Sequence, residues 1–162
     1  MNDSLSLAPI GFVKSQFEVN TPAEEMRLHP AQIILKTEFE PGLLGLEAGM
    51  DILVLFCFHR IQEEEIKLQL HPRHNPENPV RGVFATRSQF RPNRIGATVA
   101  RIEQVNSNIL TLSGLDAQDA APVLDIKPYE PYSDADTGSQ QLEVHQVSSL
   151  AEARAAIDWI DA

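Results

Sequence analysis

This chain has only one cysteine, and it has no long apolar run and no signal-like N-terminus. Its single cysteine, Cys57, lies in an apolar stretch and has no second cysteine with which to form an internal disulfide, as expected of a protein from a reducing compartment. No run reaches the roughly eighteen apolar residues of a membrane-spanning helix, and the first residues show no basic-then-apolar signal pattern. We therefore predict a cytoplasmic protein with no membrane partner.

Glycine is also scarce, and its spacing excludes two common nucleotide-binding motifs. The eight glycines form neither the G-x-G-x-x-G fingerprint of dinucleotide-binding folds nor the Walker sequence of P-loop proteins. Any cofactor must therefore be held without a glycine-rich turn between a strand and a helix.

Positive charge is in short supply overall but is concentrated in one interval. Thirteen lysines and arginines are outnumbered by 23 acidic residues, which gives a formal net charge of −10. This charge disfavours nucleic acid as a partner, because phosphate binding draws on a basic surface. Five arginines nevertheless fall between positions 81 and 101. The sequence is therefore compatible with a local basic face on an acidic body.

Metal-ligating residues are too few for a complete site. His71 and His74 flank Pro72 and Arg73, and a close histidine pair can chelate a metal. No cysteine lies nearby, and the stretch up to Pro79 is rich in proline and asparagine, so a full ligand set is missing. We predict no metal and interpret this stretch as a surface loop.

Alternating apolar and polar residues over short segments predict a mainly β protein. Residues 31–39 alternate as a half-buried strand does, whereas the apolar run 51–59 predicts a strand covered on both faces, in the core or at a subunit interface. Further strands are predicted at 8–15, 66–71, 97–105, 109–112 and 121–127. Many short strands separated by turns favour a small β-barrel with peripheral loops, or a β-sandwich, over a doubly wound sheet.

The length of the chain favours one domain with a short C-terminal helix. One hydrophobic core is the default at this size, so we predict a single domain over 1–162. Residues 133–162 are predicted to be a loose linker that includes a candidate strand at 142–147. Ser149 and Glu152 have the spacing of a capping box and precede apolar residues at helical intervals, which predicts an amphipathic helix over 149–160.

The most distinctive stretch of the chain is 81–96, RGVFATRSQFRPNRIG. Apolar Val83 and Phe84, followed by polar and turn-forming residues, predict a short buried strand that opens into an exposed loop. Arginines beside hydroxyl groups suit an anionic ligand, since a guanidinium binds carboxylate or phosphate through two parallel hydrogen bonds. The alternative is a solvated turn with surface salt bridges.

A second stretch, 115–132, LDAQDAAPVLDIKPYEPY, strengthens the interpretation of an anion site. Together the two stretches resemble the TrmO (TsaA-like) family of tRNA methyltransferases, whose signature is close to RGVFATRSxxRPNPIG followed by LDxxDGTPVLDIKPY. The resemblance includes IGFVKS near the start and GLE at 45–47, and it covers roughly 8–132. It implies a β-barrel that forms a homodimer, uses S-adenosyl-L-methionine, and methylates threonylcarbamoyladenosine just 3′ of a tRNA anticodon.

The resemblance also implies which residues contact the cofactor. Carried over position by position, the cofactor contacts are Arg27, His59, Arg60, Arg87, Ala97, Ser113, Gly114, Leu115 and Asp116.

Two departures from the family signature concern the substrate more than the cofactor. Arg94 stands in place of the second proline of RPNPIG, and Ala120-Ala121 stand in place of Gly-Thr.

Catalytic candidates follow from the chemistry that the resemblance implies. The target nitrogen is conjugated to a carbonyl and to the purine, so it is weakly basic, and a base or a strong hydrogen-bond acceptor would help the reaction. The candidates are Asp116, Asp125 and Tyr129, with Lys127 placed to hold the carboxylate or carbonyl of the modification. The alternative is a strand end at 125–129 whose polar residues pair with one another.

Substrate contacts and two rival functions complete the sequence-based hypothesis. Arg91 and Arg94 are predicted to contact phosphates of the tRNA anticodon loop. A first rival is a methyltransferase of the same family that acts on a small molecule, which the charge of −10 and the departures from the signature favour. A second rival is a non-catalytic S-adenosylmethionine-binding module that keeps the fold.

Overall fold

A computed structural model describes residues 5–18 and 21–130 of the chain. The chain divides into two units, 1–129 and 130–162, and the barrel and the candidate site both belong to the first unit. The predicted linker, the strand at 142–147 and the helix at 149–160 lie outside the described residues. These elements and the single-domain organisation therefore stay predictions.

Six of the strands in the described part of the chain close into an antiparallel barrel, as the sequence predicted. The barrel order is β1-β2-β7-β6-β3-β8, and β1 pairs with β8 to complete the ring, while β4 and β5 form a separate two-stranded sheet. In chain order the strands are β1 (Gly11–Lys14), β2 (Ala31–Leu35), β3 (Asp51–Cys57), β4 (Gln69–Leu70), β5 (Arg81–Gly82), β6 (Ile95–Asn106), β7 (Ile109–Ser113) and β8 (Pro122–Pro128).

The barrel interior is filled by branched apolar side chains from alternate positions of each strand. Ile33, Ile52, Ile102, Leu110 and Leu112 are completely buried, and burying each such side chain contributes about 1.5–3 kcal/mol to folding. Because side chains alternate between the two faces of a strand, every second residue points to the outside of the barrel. Leu110 and Leu112, two positions apart on β7, therefore both point into the interior.

Strand β3 has one fully buried face and one partly exposed face within this chain. Ile52, Val54 and Phe56 point into the barrel and are almost fully buried, whereas Leu53 and Leu55 are half-buried on the outside. The sequence predicted cover on both faces. One barrel has only one interior, so a second subunit would have to cover the outer face of β3. That subunit interface stays a prediction.

Short helices replace two predicted strand segments, and a third predicted strand is paired over two residues only. The strand predicted over 31–39 ends at Leu35, and a 3₁₀ helix, Thr37–Leu43, follows it. The strand predicted at Val83 and Phe84 was wrong, because Val83–Ala85 forms a 3₁₀ turn. Only Gln69–Leu70 of the strand predicted over 66–71 is extended and paired. Alternation over three or four residues does not distinguish a short strand from a tight turn.

The remaining helical segments of the described chain are single turns in the loops that surround the barrel. They are α1 (Ala23–Met26) and the 3₁₀ helices Glu63–Glu65 and Pro72–His74. Helix α1 lies between β1 and β2 and presents Met26, which is 7% exposed, to the interior. This places the following residue, Arg27, at one end of the barrel.

Candidate active site

The candidate site is a cleft where the end of β3 meets the beginning of β6. The antiparallel register pairs Cys57 with Ile95 and Phe56 with Gly96. A Cβ atom on Gly96 would lie 2.5 Å from Cζ of the Phe56 ring, so only glycine lets the ring lie against the backbone of β6. Above this floor is a cleft of about 1080 Å³, as large as cavities that hold drug-sized ligands.

A nearly buried carboxylate, Asp116, lies at the inner end of the cleft. Oδ1 of Asp116 accepts a hydrogen bond from Oγ1 of Thr98, and Oδ2 accepts from Nε (3.1 Å) and Nη2 (2.5 Å) of Arg27. The Asp116 side chain is 12% exposed and that of Arg27 is 47% exposed. Charge-assisted hydrogen bonds of this kind are stronger than neutral ones and hold a carboxylate in a fixed orientation.

The turn after β7 explains why Asp116 points into the cleft. Gly114 has a φ of 82°, a left-handed conformation that glycine adopts without a steric penalty. Beyond this turn, Leu115 and Ala117 are buried in the barrel core, each 1% exposed. Asp116 lies between them and therefore faces the other way, toward Arg27 and Thr98.

Thr98 is a site residue that sequence reasoning missed. It occupies an inward position of β6, between Gly96 and Ala100, and is 5% exposed. A hydroxyl at an inward position needs a hydrogen-bond partner, and Thr98 finds that partner in Asp116. The available signal was the interruption of an apolar alternation on one face of β6 by a polar residue.

The loop between β5 and β6 is fixed by its own arginines. Arg91 donates from Nε to the carbonyl oxygen of Ser88 (2.8 Å) and from Nη2 to that of Thr86 (2.6 Å). Arg94 donates from Nη1 to the carbonyl oxygen of Ile61 at 2.7 Å, and Arg87 donates from Nη2 to that of Ala97. These contacts satisfy carbonyl groups that an irregular loop would otherwise leave unpaired.

Position 94 shows how one departure from the family signature is accommodated. Arg94 has a φ of 53°, whereas the ring of proline holds φ near −65°. The proline of the family signature could therefore not adopt the backbone conformation that this chain has at position 94. The arginine side chain links the loop to Ile61 instead.

The cleft is basic although the chain as a whole is acidic. Its described lining has two carboxylates, Glu24 and Asp116, and five arginines. His59 also lines the cleft; its partial burial, together with the positive charge of Arg60, lowers its pKa, so its imidazole is neutral at physiological pH. The arginines that line the cleft are Arg27, Arg73, Arg81, Arg87 and Arg91.

The structure brings together part of the predicted cofactor set. Arg27, His59, Arg87, Ala97 and Asp116 all line the cleft, although they come from separate parts of the chain. Four other predicted contacts are not among the described lining residues. Of these, Ser113 donates its hydroxyl to Glu103, Leu115 is a core residue, Arg60 is exposed beside His59, and Gly114 forms the turn after β7.

Of the predicted catalytic candidates, Asp116 lines the cleft. The other three, Asp125, Lys127 and Tyr129, lie along β8 and just beyond it, and none of these three is among the described residues that line the cleft. Nζ of Lys127 lies 2.8 Å from Oδ2 of Asp125, and this hydrogen bond raises the pKa of the lysine. The Lys127 side chain is 60% exposed. Tyr129 donates its backbone N–H to the carbonyl oxygen of Asp51.

The described residues contain neither a metal-binding cluster nor a membrane-spanning helix. Within 5–18 and 21–130 no group of three potential ligands is arranged to bind a metal ion. His71 instead contacts the carbonyl oxygen of Asn78 through Nδ1 at 2.7 Å. None of the helices described is long and apolar enough to cross a membrane.

Comparison with known proteins identifies the family of this chain. A crystal structure of TrmO from Pseudomonas aeruginosa superposes with a TM-score of 0.64 at 34% identity and covers 85% of this chain and 61% of that chain. An S-adenosyl-L-methionine-binding protein of Archaeoglobus fulgidus is 40% identical over 131 residues, 79% of this chain and 91% of that protein.

A mammalian relative matches nearly the whole chain. The tRNA (adenine(37)-N6)-methyltransferase of Mus musculus is 37% identical over 164 residues, 96% of this chain and 37% of the mouse protein. The chain spans between 37% and 59% of the length of three curated relatives that it matches. The model of the tRNA-methyltransferase O N-terminal domain matches residues 12–135, and the chain therefore belongs to that family.

Proposed function

We propose that this chain is an S-adenosyl-L-methionine-dependent methyltransferase that methylates the exocyclic nitrogen of threonylcarbamoyladenosine next to the tRNA anticodon. The observation that carries the proposal is the cleft itself, which five arginines and a nearly buried carboxylate line on a chain of net charge −10. The family, and the printed names of the mouse and Archaeoglobus fulgidus relatives, support the cofactor and the class of substrate.

The residues at the inner end of the cleft fit S-adenosylmethionine chemically. A carboxylate offers about four lone-pair positions, and Asp116 uses only part of them for Thr98 and Arg27. The remaining position, on Oδ1, suits a ribose hydroxyl or the α-ammonium group. Arg87 suits the methionine carboxylate, and the neutral ring of His59 suits a polar edge of the adenine.

When bound, the sulfonium supplies an electrophilic methyl group, so the protein has to align the attacking nitrogen and exclude water. Asp125 and Tyr129 are the proposed acceptors for the proton that the nitrogen loses. Lys127 is the proposed contact of the threonylcarbamoyl carboxylate, which would compete with Asp125 for the ammonium group. Arg91 and Arg94 stay predicted phosphate contacts, and each retains N–H groups beyond those donated to the loop.

The proposed assembly is a homodimer in the cytoplasm, formed through the outer face of β3. Leu53 and Leu55 are half-buried there, and Val99, the register partner of Leu53 on β6, is 40% exposed. Lys127 and Asp125 are the register partners of the same two leucines on β8. A dimer through this face would bury apolar surface together with the ion pair of the proposed catalytic residues.

Methyl transfer from labelled S-adenosylmethionine to three RNAs tests the proposal. The acceptors are a tRNA that carries threonylcarbamoyladenosine, the same transcript without the modification, and a tRNA with an unmodifiable base at that position. Incorporation into the first alone is expected. Equal incorporation into the first two would overturn the substrate, and none into any, with cofactor binding intact, would favour a small-molecule acceptor.

A further inference from the structure

Phe84 is an apolar side chain in an unusual place. The sequence predicted a buried position, but Phe84 is 79% exposed and lines the cleft. The preceding residue explains this: Val83 is 1% exposed, and its backbone N–H donates to the carbonyl oxygen of Leu68 at 2.9 Å. With Val83 held inside, the 3₁₀ turn directs the phenyl ring outward and leaves an aromatic surface in water, which is unfavourable.

Two arginines that line the same cleft as this ring have guanidinium groups that the described residues do not use fully. Arg81 makes no side-chain hydrogen bond or ion pair with any residue within 5–18 and 21–130. Arg73 has only a 3.8 Å ion pair with Glu24, and its side chain is 84% exposed. Arg91 and Arg94, by contrast, donate to backbone carbonyl groups.

A second pocket continues from the cleft at these two arginines. It has a volume of about 640 Å³, and Pro72, Arg73 and Arg81 line both spaces. Its other lining residues include Asn75 and Asn78, whose amides add hydrogen-bond donors. The two spaces together exceed the roughly 300–1,000 Å³ of a pocket for one small ligand, so they have room for more than the cofactor.

We propose that Phe84 is the platform on which an unpaired RNA base stacks, and that Arg73 and Arg81 bind phosphates of the same strand. The inference rests on the proposed tRNA substrate and names the residues that read its single-stranded loop. Unstacked bases are recognised by stacking on aromatic rings, and planar guanidinium groups bind phosphate through paired hydrogen bonds.

The position of Phe84 favours an RNA base over the adenine of the cofactor. The nearly buried polar groups, Asp116 and Thr98, lie at the inner end of the cleft, whereas Phe84 is the most exposed apolar side chain of its lining. Arginines flank the ring on both sides in sequence, at 81 and 87. Their charge favours RNA over an apolar protein surface as the ligand.

The first test measures binding of a fluorescein-labelled anticodon stem-loop RNA by anisotropy. Phe84→Ala should weaken binding about 5- to 150-fold, the range for loss of one base–aromatic stack, and Phe84→Trp should restore it. The affinity for S-adenosylmethionine, measured by calorimetry, should stay unchanged. Phe39→Ala is the matched control, because Phe39 is 39% exposed on Thr37–Leu43 and is not among the described lining residues.

The second test observes stacking directly. Phe84→Trp in a Trp159→Phe background carries the only tryptophan of the chain, and its fluorescence should be quenched when the stem-loop RNA binds. Phe39→Trp in the same background should not respond. An unquenched signal at saturating RNA would overturn the platform.

The third test addresses phosphate contacts through the salt dependence of RNA binding. The double variant Arg73→Ala/Arg81→Ala should reduce the slope of log K against log salt by about 1.4, since each phosphate contact to single-stranded RNA contributes about 0.7. Arg101→Ala, which removes a cation paired with Asp51 elsewhere, should leave the slope unchanged. An unchanged slope in the double variant would exclude Arg73 and Arg81 as phosphate contacts.

The outcomes separate this inference from the proposed function. If the wild-type protein does not bind the stem-loop RNA at all, the tRNA substrate fails and the platform fails with it. If the wild type binds RNA and Phe84→Ala binds equally well, only the platform fails. If Phe84→Ala loses S-adenosylmethionine affinity instead, the ring stacks on the cofactor, and if it loses oligomerisation, a second copy of the chain covers the ring.

Discussion

Arg27 and Asp116 are 89 positions apart in sequence, yet the Arg27 side chain donates two hydrogen bonds to one carboxylate oxygen of Asp116. Oδ2 of Asp116 lies 3.1 Å from Nε and 2.5 Å from Nη2 of Arg27. The arginine follows helix α1 and the aspartate follows strand β7. Barrel closure brings the two together, because β7 pairs with β2, which begins four residues after Arg27. The contact therefore links a peripheral loop to the inner end of the cleft.

Asp116→Asn should weaken binding of S-adenosylmethionine by about 1.5–3 kcal/mol. The substitution removes the negative charge that Arg27 and Thr98 orient, and a hydrogen bond to a charged group has this magnitude. Isothermal calorimetry measures the effect. Asp119→Asn is the matched control, since Asp119 also pairs with a cation, Lys14, but is not among the described lining residues. Equal losses in both variants would indicate a general effect on the fold.

Arg91→Ala should lower the free energy of unfolding by about 1.5–3 kcal/mol. Its guanidinium holds the carbonyl oxygens of Thr86 and Ser88, and removing it leaves these acceptors without their charged donor. Urea denaturation followed by circular dichroism checks the value. Arg60→Ala serves for comparison, because Arg60 is exposed and makes no side-chain hydrogen bond in the described part of the chain. Unchanged stability in Arg91→Ala would mean that the hydrogen bonds of Arg91 do not contribute to the stability of the folded protein.

Light scattering at micromolar concentration should find a dimer, and Leu55→Glu should convert it to a monomer. Leu55 lies on the outer face of β3, where a charge would have to be buried at a subunit interface without a partner. Ile34→Glu is the matched control, because Ile34 points outward from β2 and is 40% exposed. A wild-type monomer, or a dimer that survives Leu55→Glu, would place the interface elsewhere or remove it.

The free energy of unfolding should fall as the pH falls below 6.5, the ordinary pKa of histidine. Burial and then the charge of Arg60 lower the pKa of His59 in the folded protein, so between the two pKa values the unfolded chain binds the proton more readily. The loss should level off below the folded pKa. His59→Gln should show a flatter profile over this window in denaturant titrations at stepped pH, and an identical profile would contradict the assignment.

Local pattern was enough to predict most of the strands, and the resemblance carried by the motifs implied the barrel. The two-residue period of a strand is a property of the chain itself, so the strand that begins at Ala31 could be predicted without knowing its partners. The ordered motifs at 81–96 and 115–132 likewise located the arginine loop and Asp116. The resemblance that these motifs carry supplied the nine predicted cofactor residues, and five of the nine line the cleft.

Only the tertiary structure decided what each polar or aromatic side chain does. Arg81 and Arg91 look alike in sequence, yet one is free among the described residues and the other holds two backbone carbonyls. Phe84 faces solvent and Thr98 faces the interior, opposite to what their polarity suggests. Such roles depend on partners far along the chain, and those partners meet only when the barrel closes, because hydrogen bonding and burial are properties of neighbours in space rather than in sequence.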